Sequence, residues 1–455
     1  MPKNYYDLRR PPFSAMSNER LSMSEDIFQI LATALNKIHG TSYNLRFWKI
    51  LTAPYVGAVI SNRVLLAEND LVTQPVTYAH VSMFKPTKEF ISYEKVRHMI
   101  TLLTSLGSYR KIKIQLKSEN NIAVGFHYPK ALSSVVDVFM DAHYPILPNK
   151  KVSHEKRKIS IEYPEEYNST FISNIIKCIP KVYIEYFNYL MNKVPLYEPE
   201  KKIFHVSTIG NLFLRFTLAK YTEKGAKLNY YQHGGFYGEF KHHNSHDYES
   251  SIADQFMTWG WKIKDNDVPS PAYRLEKFRK NFNEHFKKSF DLLLIYPSIY
   301  HINNEHFDRI STLFFNKINR DKFAKICARP RPKSTFNRKA DLKFIFKKAT
   351  KIDAGYTPLS KLISKSKLVI LMNHPSTTIL ECLYVDQPVV AILDNDDPSE
   401  IVIPYYDLLL EKKLLHLTID SLIDHLNTTN IDAWWSALLK DPTYQQFKHE
   451  FLRKV

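Results

Sequence analysis

Glycine is scarce in this chain, with 11 in 455 residues. That count excludes glycine-rich linkers, collagen-like repeats and most low-complexity designs. Cysteine is scarcer: Cys178, Cys327 and Cys382 lie far apart with no CxxC spacing. Neither a disulfide framework nor a cysteine-based zinc site is encoded, and a reducing compartment suits such a chain. No run approaches the ~18 consecutive apolar residues of a membrane span. The opening "MPKNYYDLRRPPFSAMSNER" lacks the apolar centre of a signal peptide. These absences predict a cytoplasmic protein. Acidic residues are also in deficit, 46 against 63 Lys and Arg, for a net charge of +17. Zinc-finger, RNA-binding aromatic and basic-zipper signatures are missing, so no nucleic acid is expected as a partner. The basic excess suits an anionic substrate or peripheral contact with the anionic inner membrane. A non-catalytic binder of polyanions or nucleic acid is the competing reading, and the charge is its support.

What is present is ordinary for a globular protein: 44% hydrophobic and 24% charged residues. Residues 22–39 carry a capping-box pair, Ser22 and Glu25, and helical apolar spacing up to Gly40. "YNLRFWKILTAPYVGAVI" (43–60) reads as a core helix with Arg46 and Lys49 embedded, and a cation in such a setting needs a partner. From residue 202 onward, strand and helix patterns alternate. "KIFHVSTIG", "KLNYYQHGG", "ADQFMTWGW", "SFDLLLIYPS", "DKFAKICARP", "KLVILMN", "QPVVAIL" and "LLHLTI" read as strands, with helical patterns among them. Alternation predicts an α/β fold with parallel sheets. The division expected is an acceptor-side domain over 1–275, a nucleotide-binding domain over 276–430, and a C-terminal helix over 431–455 packing back on the first domain. The aromatic run "VYIEYFNYLMNKVPLYEP" (182–199) fits either a core helix or a lipid-facing surface.

"KLVILMNHPSTTILECLYVDQPVVAIL" is the most informative stretch. A buried strand ends at Asn373-His374-Pro375 and a helix opens at Ser376-Thr377-Thr378. Helix N-termini expose backbone N–H groups and a positive dipole end, which hold phosphates. His374 can donate to a phosphate or assist a leaving group, and Glu381 is spaced to share a face with Thr377 and Thr378. The bland alternative is a hydroxyl-capped helix and a structural histidine. "ARPRPK" projects Arg329, Arg331 and Lys333 to one side of an extended segment, where three cations suit a nucleotide phosphate or a sugar carboxylate.

In "YYQHGGFYGEF", Gln232-His233-Gly234-Gly235 ends a strand, where glycines let backbone N–H groups approach a ligand. A plain glycine turn is the alternative. His233, Glu249 and Asp254 are the candidate catalytic groups, as base or nucleophile. Gln232, Gly234, Gly235, Tyr237 and Arg46 are the candidate substrate contacts. His242, His243 and His246 have no carboxylate at metal-site spacing and read as a solvated loop; "LDNDDPSE" (393–400) reads as a polar loop.

The strand–helix–strand with an acidic residue inside its helix and "QPVV" after it resembles the donor half of GT-B glycosyltransferases. His-Pro followed by Ser/Thr is similar to the pattern in those that use CMP-activated acidic sugars. Together with "YYQHGGFYGEF" and "HDYESSIADQFMTWGW", it resembles a family of transferases from bacterial O-antigen and capsule loci, over residues 43–61 and about 200–400. The resemblance implies two Rossmann-like domains facing across a cleft, followed by C-terminal helices. It implies a metal-independent enzyme without cofactor that moves a sugar, Kdo or a related acid, from a CMP-linked donor. The acceptor would be a lipid-linked or polysaccharide component of lipopolysaccharide or capsule. A polyol-phosphate transferase using a CDP-linked donor is the neighbouring alternative.

Overall fold

A computed structural model describes residues 18–61, 116–124, 151–209, 212–235, 237–296, 304–329, 348–353, 355–374, 376–393 and 398–452. The chain forms two compact units, Met1–Tyr231 with Asp247–Phe256, and Gln232–His246 with Met257–Val455. This partition differs from a single cut after residue 275. The chain leaves the first unit at Tyr231 and returns to it for one short stretch, and the C-terminal helices cluster with the second unit.

In the first unit, α1 (Asn18–His39) stops at Gly40, whose φ of +62° suits a residue without Cβ. The next helix, α2 (Leu45–Ser61), is capped by the Asn44 side chain, which accepts from Phe47 N–H at 2.9 Å. Asn36 joins the two helices: its Oδ1 accepts from Trp48 Nε1 at 3.0 Å and from Tyr43 N–H at 3.1 Å. After β1 (Asn121–Val124) come α3 (Ser169–Cys178) and α4 (Phe187–Lys193). Phe187 stacks on Trp48 with centroids 5.3 Å apart, and Leu190 and Met191 are buried beside it. The aromatic run that starts at Val182 is therefore core as far as Val194, while Leu196 beyond it is exposed.

The strands β2 (Ile203–Val206) and β3 (Lys227–Tyr231) flank α5 (Leu212–Glu223). β1, β2 and β3 pair in parallel, and β4 (Gln255–Thr258), reached through α6 (Asn244–Ile252), lies next to β3.

The second unit continues with β5 (Asp267–Pro269), α7 (Tyr273–Asn281), β6 (Phe290–Ile295), α8 (Asn304–Lys317), β7 (Ile326–Arg329) and β8 (Lys351–Ile352). Then follow α9 (Leu359–Ser364), β9 (Ser366–His374), α10 (Thr377–Tyr384), β10 (Val389–Leu393), α11 (Ile403–Glu411) and β11 (Leu415–His416). Three helices close the chain: α12 (Ile419–Thr428), α13 (Ile431–Leu438) and α14 (Pro442–Phe451).

Its six-stranded sheet has the order β11-β10-β9-β6-β7-β8, every pair parallel. Counted from β6, that is the doubly wound dinucleotide-fold order, which reverses between β6 and β9. Leu292, Leu294, Ile370 and Val390 pack against Phe314 of α8 and Leu422 of α12. On the other face Leu293, Val369, Leu371 and Val389 are also buried. Burial on both faces explains the unbroken apolar strands, each such side chain contributing roughly 1.5–3 kcal/mol. Among the described residues, no helix is long and apolar enough to cross a membrane.

Candidate functional site

Open parallel sheets bind ligands beyond the carboxyl ends of their strands, where the order reverses. Here that point lies between β6 and β9, and β9 runs directly into α10. Ser376 is the N-cap, extended at φ −152°, and its Oγ accepts from Thr378 N–H at 3.2 Å. The helix thus begins at Thr377, two residues beyond the proline expected in its first turn.

The glycine pair meets this helix start. Gly235 N–H donates to Thr377 Oγ1 at 2.9 Å. A Cβ on Gly235 would lie 2.7 Å from Thr377 Cα, closer than side chains tolerate. What the backbone makes room for at Gly235 is the first turn of α10. Gln232 braces the same turn, its Nε2 donating to Gly234 O at 2.8 Å and its Oε1 accepting from Trp259 N–H at 2.9 Å. Further on, Gly238 has φ +78° and lies against the Trp261 ring. Glu239 accepts from the Tyr406 hydroxyl at 2.8 Å.

His233 sits at the head of the turn, with the Tyr237 hydroxyl 2.9 Å from its Nδ1. Burial, and then the Arg274 charge, push the imidazole down to about 4, so it is neutral at physiological pH. Arg274, on α7, donates to the His233 carbonyl, and its Nε lies 3.8 Å from Glu381 Oε1. Burial pushes the Glu381 carboxyl up to about 7 despite that cation. The turn, α10 and α7 therefore bring together Gln232, His233, Gly234, Gly235, Tyr237, Ser376, Thr377, Thr378 and Glu381 with Arg274. Sequence reasoning missed Arg274, because in "YRLEKFRKN" it looks like any solvated cation of a basic chain.

Arg329 ends β7 on the same sheet edge, but it is buried, donates to Thr357 O at 2.5 Å and lies 3.6 Å from Asp353. Arg331 and Lys333, and the side chains of Asn373 and His374, fall outside the described residues; the His374 backbone closes β9 opposite Leu393. Behind the turn, a mostly apolar cavity of about 20 Å³ is lined by Tyr237, Leu380, Tyr406 and Phe447. It has room for a single water and none for a nucleotide.

The other candidates belong to the first unit. Arg46 finds the partner that an embedded cation needs: its Nη2 reaches Asp254 Oδ2 at 2.8 Å and its Nε donates to Ile252 O at 2.7 Å. Leu228 N–H also donates to Asp254, at 2.8 Å. Burial raises the Asp254 carboxyl, but the Arg46 and Leu228 hydrogen bonds outweigh it and hold the group below its ordinary value. Glu249 is buried on α6 and, after burial itself, helps to push the Tyr230 hydroxyl well up.

An Asp254→Asn variant is expected to lose about 1 kcal/mol of stability, the upper end for a partly exposed ion pair, with kcat nearly unchanged. A hundredfold fall in kcat at an unchanged melting temperature would instead give Asp254 a chemical role.

The solvated loop expected at 242–246 is not what forms. His243 and His246 are buried, and His246 Nε2 lies 3.0 Å from Asp267 Oδ1. Asp267 in turn accepts from the Ile263 and Lys264 N–H groups. Aromatic neighbours Trp261 and Tyr237 cover these rings, and spacing along the chain gave no sign of that. Among the described residues, no cluster of His, Cys, Asp and Glu could hold a metal.

No curated protein sequence matches the chain. Among solved structures, the wall teichoic acid polymerase TagF is similar at 11% identity over 81% of this chain and 94% of its own, with a TM-score of 0.32. TarM is similar at 13% identity over 58% of this chain and 56% of its own, with a TM-score of 0.29. An O-GlcNAc transferase variant of Thermobaculum terrenum is similar at 12% identity over 62% and 57%, with a TM-score of 0.32. Residues 73–455 match the family described as LIC12162 family transferase, and the chain belongs to that family of transferases.

Proposed function

We propose that the chain is a glycosyltransferase of GT-B type. It transfers a Kdo-like acidic sugar from a CMP-linked donor to a lipid-linked or polysaccharide acceptor of the bacterial surface, working at the cytoplasmic side of the inner membrane. The observation that carries this reading is the reversal of strand order between β6 and β9, with a hydroxyl-rich helix start beyond β9. In this reading the positive dipole end of α10 and the hydroxyls of Ser376, Thr377 and Thr378 hold the nucleotide phosphate. Asn373, His374, Arg331 and Lys333 supply further donors and charge. As the anomeric C–O bond opens, negative charge grows on the departing phosphate, and a helix N-terminus stabilises it there. The acceptor hydroxyl attacks the anomeric carbon and gives its proton to His233, which is neutral and so able to accept it. The Tyr237 hydroxyl, 2.9 Å from Nδ1 and 3.3 Å from Nε2, holds the ring in place.

A thermal-shift panel of CMP, CDP, UDP, GDP and dTDP at matched ionic strength tests the reading. CMP at a hundredfold excess over Kd is expected to stabilise the protein by about 2.7 kcal/mol, and His374→Ala is expected to abolish the shift. A preference for CDP would point to polyol-phosphate transfer, and one for UDP, GDP or dTDP would discard the donor. No shift, together with salt-sensitive binding to any polyanion, would overturn the enzyme mechanism proposed here.

A further inference from the structure

The geometry points to Arg274 as the cation that takes a phosphoryl group beside the start of α10, with Glu381 as a counter-ion that picks up a proton as the phosphate arrives. The inference rests on the donor site proposed above and changes the role of Glu381, which the sequence pattern offered as a direct nucleotide contact.

Glu381 is buried, and among the described residues no hydrogen bond reaches its carboxylate. The nearest cation, Arg274 Nε, lies 3.8 Å away, beyond hydrogen-bond length. A buried carboxylate is costly unless it is both paired and hydrogen-bonded, and here the pairing is partial. Arg274 is the more accessible partner: its side chain is 33% exposed against 10% for Glu381. A guanidinium offers five N–H donors in a fork that matches phosphate, and the His233 carbonyl takes one of them.

The surroundings leave these two groups coupled mainly to each other. From the turn, the charged neighbour would be His233, and it is neutral. On α10 itself, burial and then Glu381 push the Cys382 thiol well up, so it too is neutral. On α7, Glu276 is occupied by Arg279 at 3.0 Å and by the Tyr384 hydroxyl at 3.1 Å. β10 carries only apolar residues, and the one charged side chain described on β9, Lys367, is at the far end, 2.9 Å from Asp291. A phosphate on Arg274 would draw off the charge that Glu381 relies on and add a negative charge beside it. Both effects favour the protonated acid. Because the Glu381 carboxyl is already raised to about 7, the proton is taken up in the physiological range.

Calorimetric titration with CMP and, separately, with inorganic pyrophosphate tests this, in two buffers of different ionisation enthalpy at pH 6.5 and 8.5. Wild-type affinity is expected to rise about tenfold from pH 8.5 to 6.5, with net proton uptake at the higher pH. Arg274→Met is expected to bind at least tenfold more weakly and Arg274→Lys to recover part of the loss. Glu381→Gln, which imitates the protonated acid, should bind at pH 8.5 as the wild type does at 6.5, with no proton uptake. Loss of affinity in Glu381→Gln at both pH values, or wild-type binding by Arg274→Met, overturns the proposal. CMP binding indifferent to Arg274 would leave the donor reading standing without the clamp. Pyrophosphate binding with the expected signature and no CMP binding would leave the clamp and remove the nucleotide. Binding of neither removes both.

Discussion

Gly235→Ala is expected to cost about 3 kcal/mol of stability and at least a hundredfold in transfer rate. The new Cβ would lie 2.7 Å from Thr377 Cα, 2.9 Å from Thr377 N and 3.1 Å from Leu380 Cδ1. Two of those atoms are backbone at the first turn of a helix, so no rotamer change relieves the contact. Inserting a methyl group into such packing typically costs 1–3 kcal/mol, and an unyielding neighbour puts this case at the upper end. The relief available is to separate the turn from α10, which breaks the Gly235–Thr377 hydrogen bond. His233 would then move relative to the hydroxyls, and misplacement of about 1 Å can remove two orders of magnitude in rate.

Gly57→Ala is the control. It lies within α2, and an added Cβ meets nothing within 4 Å. Alanine there should be neutral or stabilise by up to ~1 kcal/mol, since glycine is the poorer helix former. Equal melting temperatures and rates for Gly235→Ala and wild type would remove the packing argument.

How much of this was legible in the sequence depends on the range of the interaction. Strands β6, β7, β9 and β10 could be read because burial on both faces leaves apolar runs, as in "KLVILMN". The opening of α10 could be read because Ser376 caps locally, two residues from the N–H it accepts. What lay beyond reach was the meeting of distant segments. Nothing near Gly235 in the chain indicates that the neighbour excluding a side chain is Thr377. Arg46 could be recognised as a cation needing a partner, but not Asp254 as that partner, 208 residues on. The His243 and His246 segment read as solvated because most of its neighbours in sequence are polar, while Phe240 stacks on His243 and Trp261, from further along the chain, packs on His246.

The same burial predicts how the protein meets acid. Stability should fall steeply between pH 6.5 and about 4. Burial lowers His205, His233 and His416 to about 4, and pushes His39 and His425 down as well. In the unfolded chain these groups titrate near 6.5, so below that pH the unfolded state binds more protons and is favoured. The stabilisation is complete above 6.5 and is lost as pH falls to the folded value. A drop from 6.5 to about 4 corresponds to on the order of 3 kcal/mol per group.

Local contacts give the cause. His205 is held between the Tyr231 hydroxyl, 3.0 Å from Nδ1, and Asn121 Oδ1, 3.3 Å from Nε2. His416 lies between Ser421 Oγ and the Lys413 carbonyl, both at 3.0 Å, and its ring centroid is 5.4 Å from that of His425. Each imidazole fits its partners with one proton.

Glu381 acts in the opposite direction, because its folded value near 7 lies above that of a free carboxyl. It offsets roughly one histidine in the second unit, and His205 in the first unit has no such offset. Each unit then loses on the order of 3 kcal/mol, against a total of roughly 5–15 for a domain. Urea denaturation at pH 7.5, 6.0, 5.0 and 4.5 checks this, with His205→Gln and His416→Gln each expected to flatten the profile.

General repulsion on a chain already at +17 would also destabilise it as histidines charge. Screening separates the two causes. Added salt at 0.3 M weakens repulsion between exposed charges but leaves the desolvation of a buried imidazolium in place. An acid transition that survives salt and shifts in the glutamine variants belongs to the buried histidines. One that disappears in salt belongs to net charge, and the argument from burial then fails.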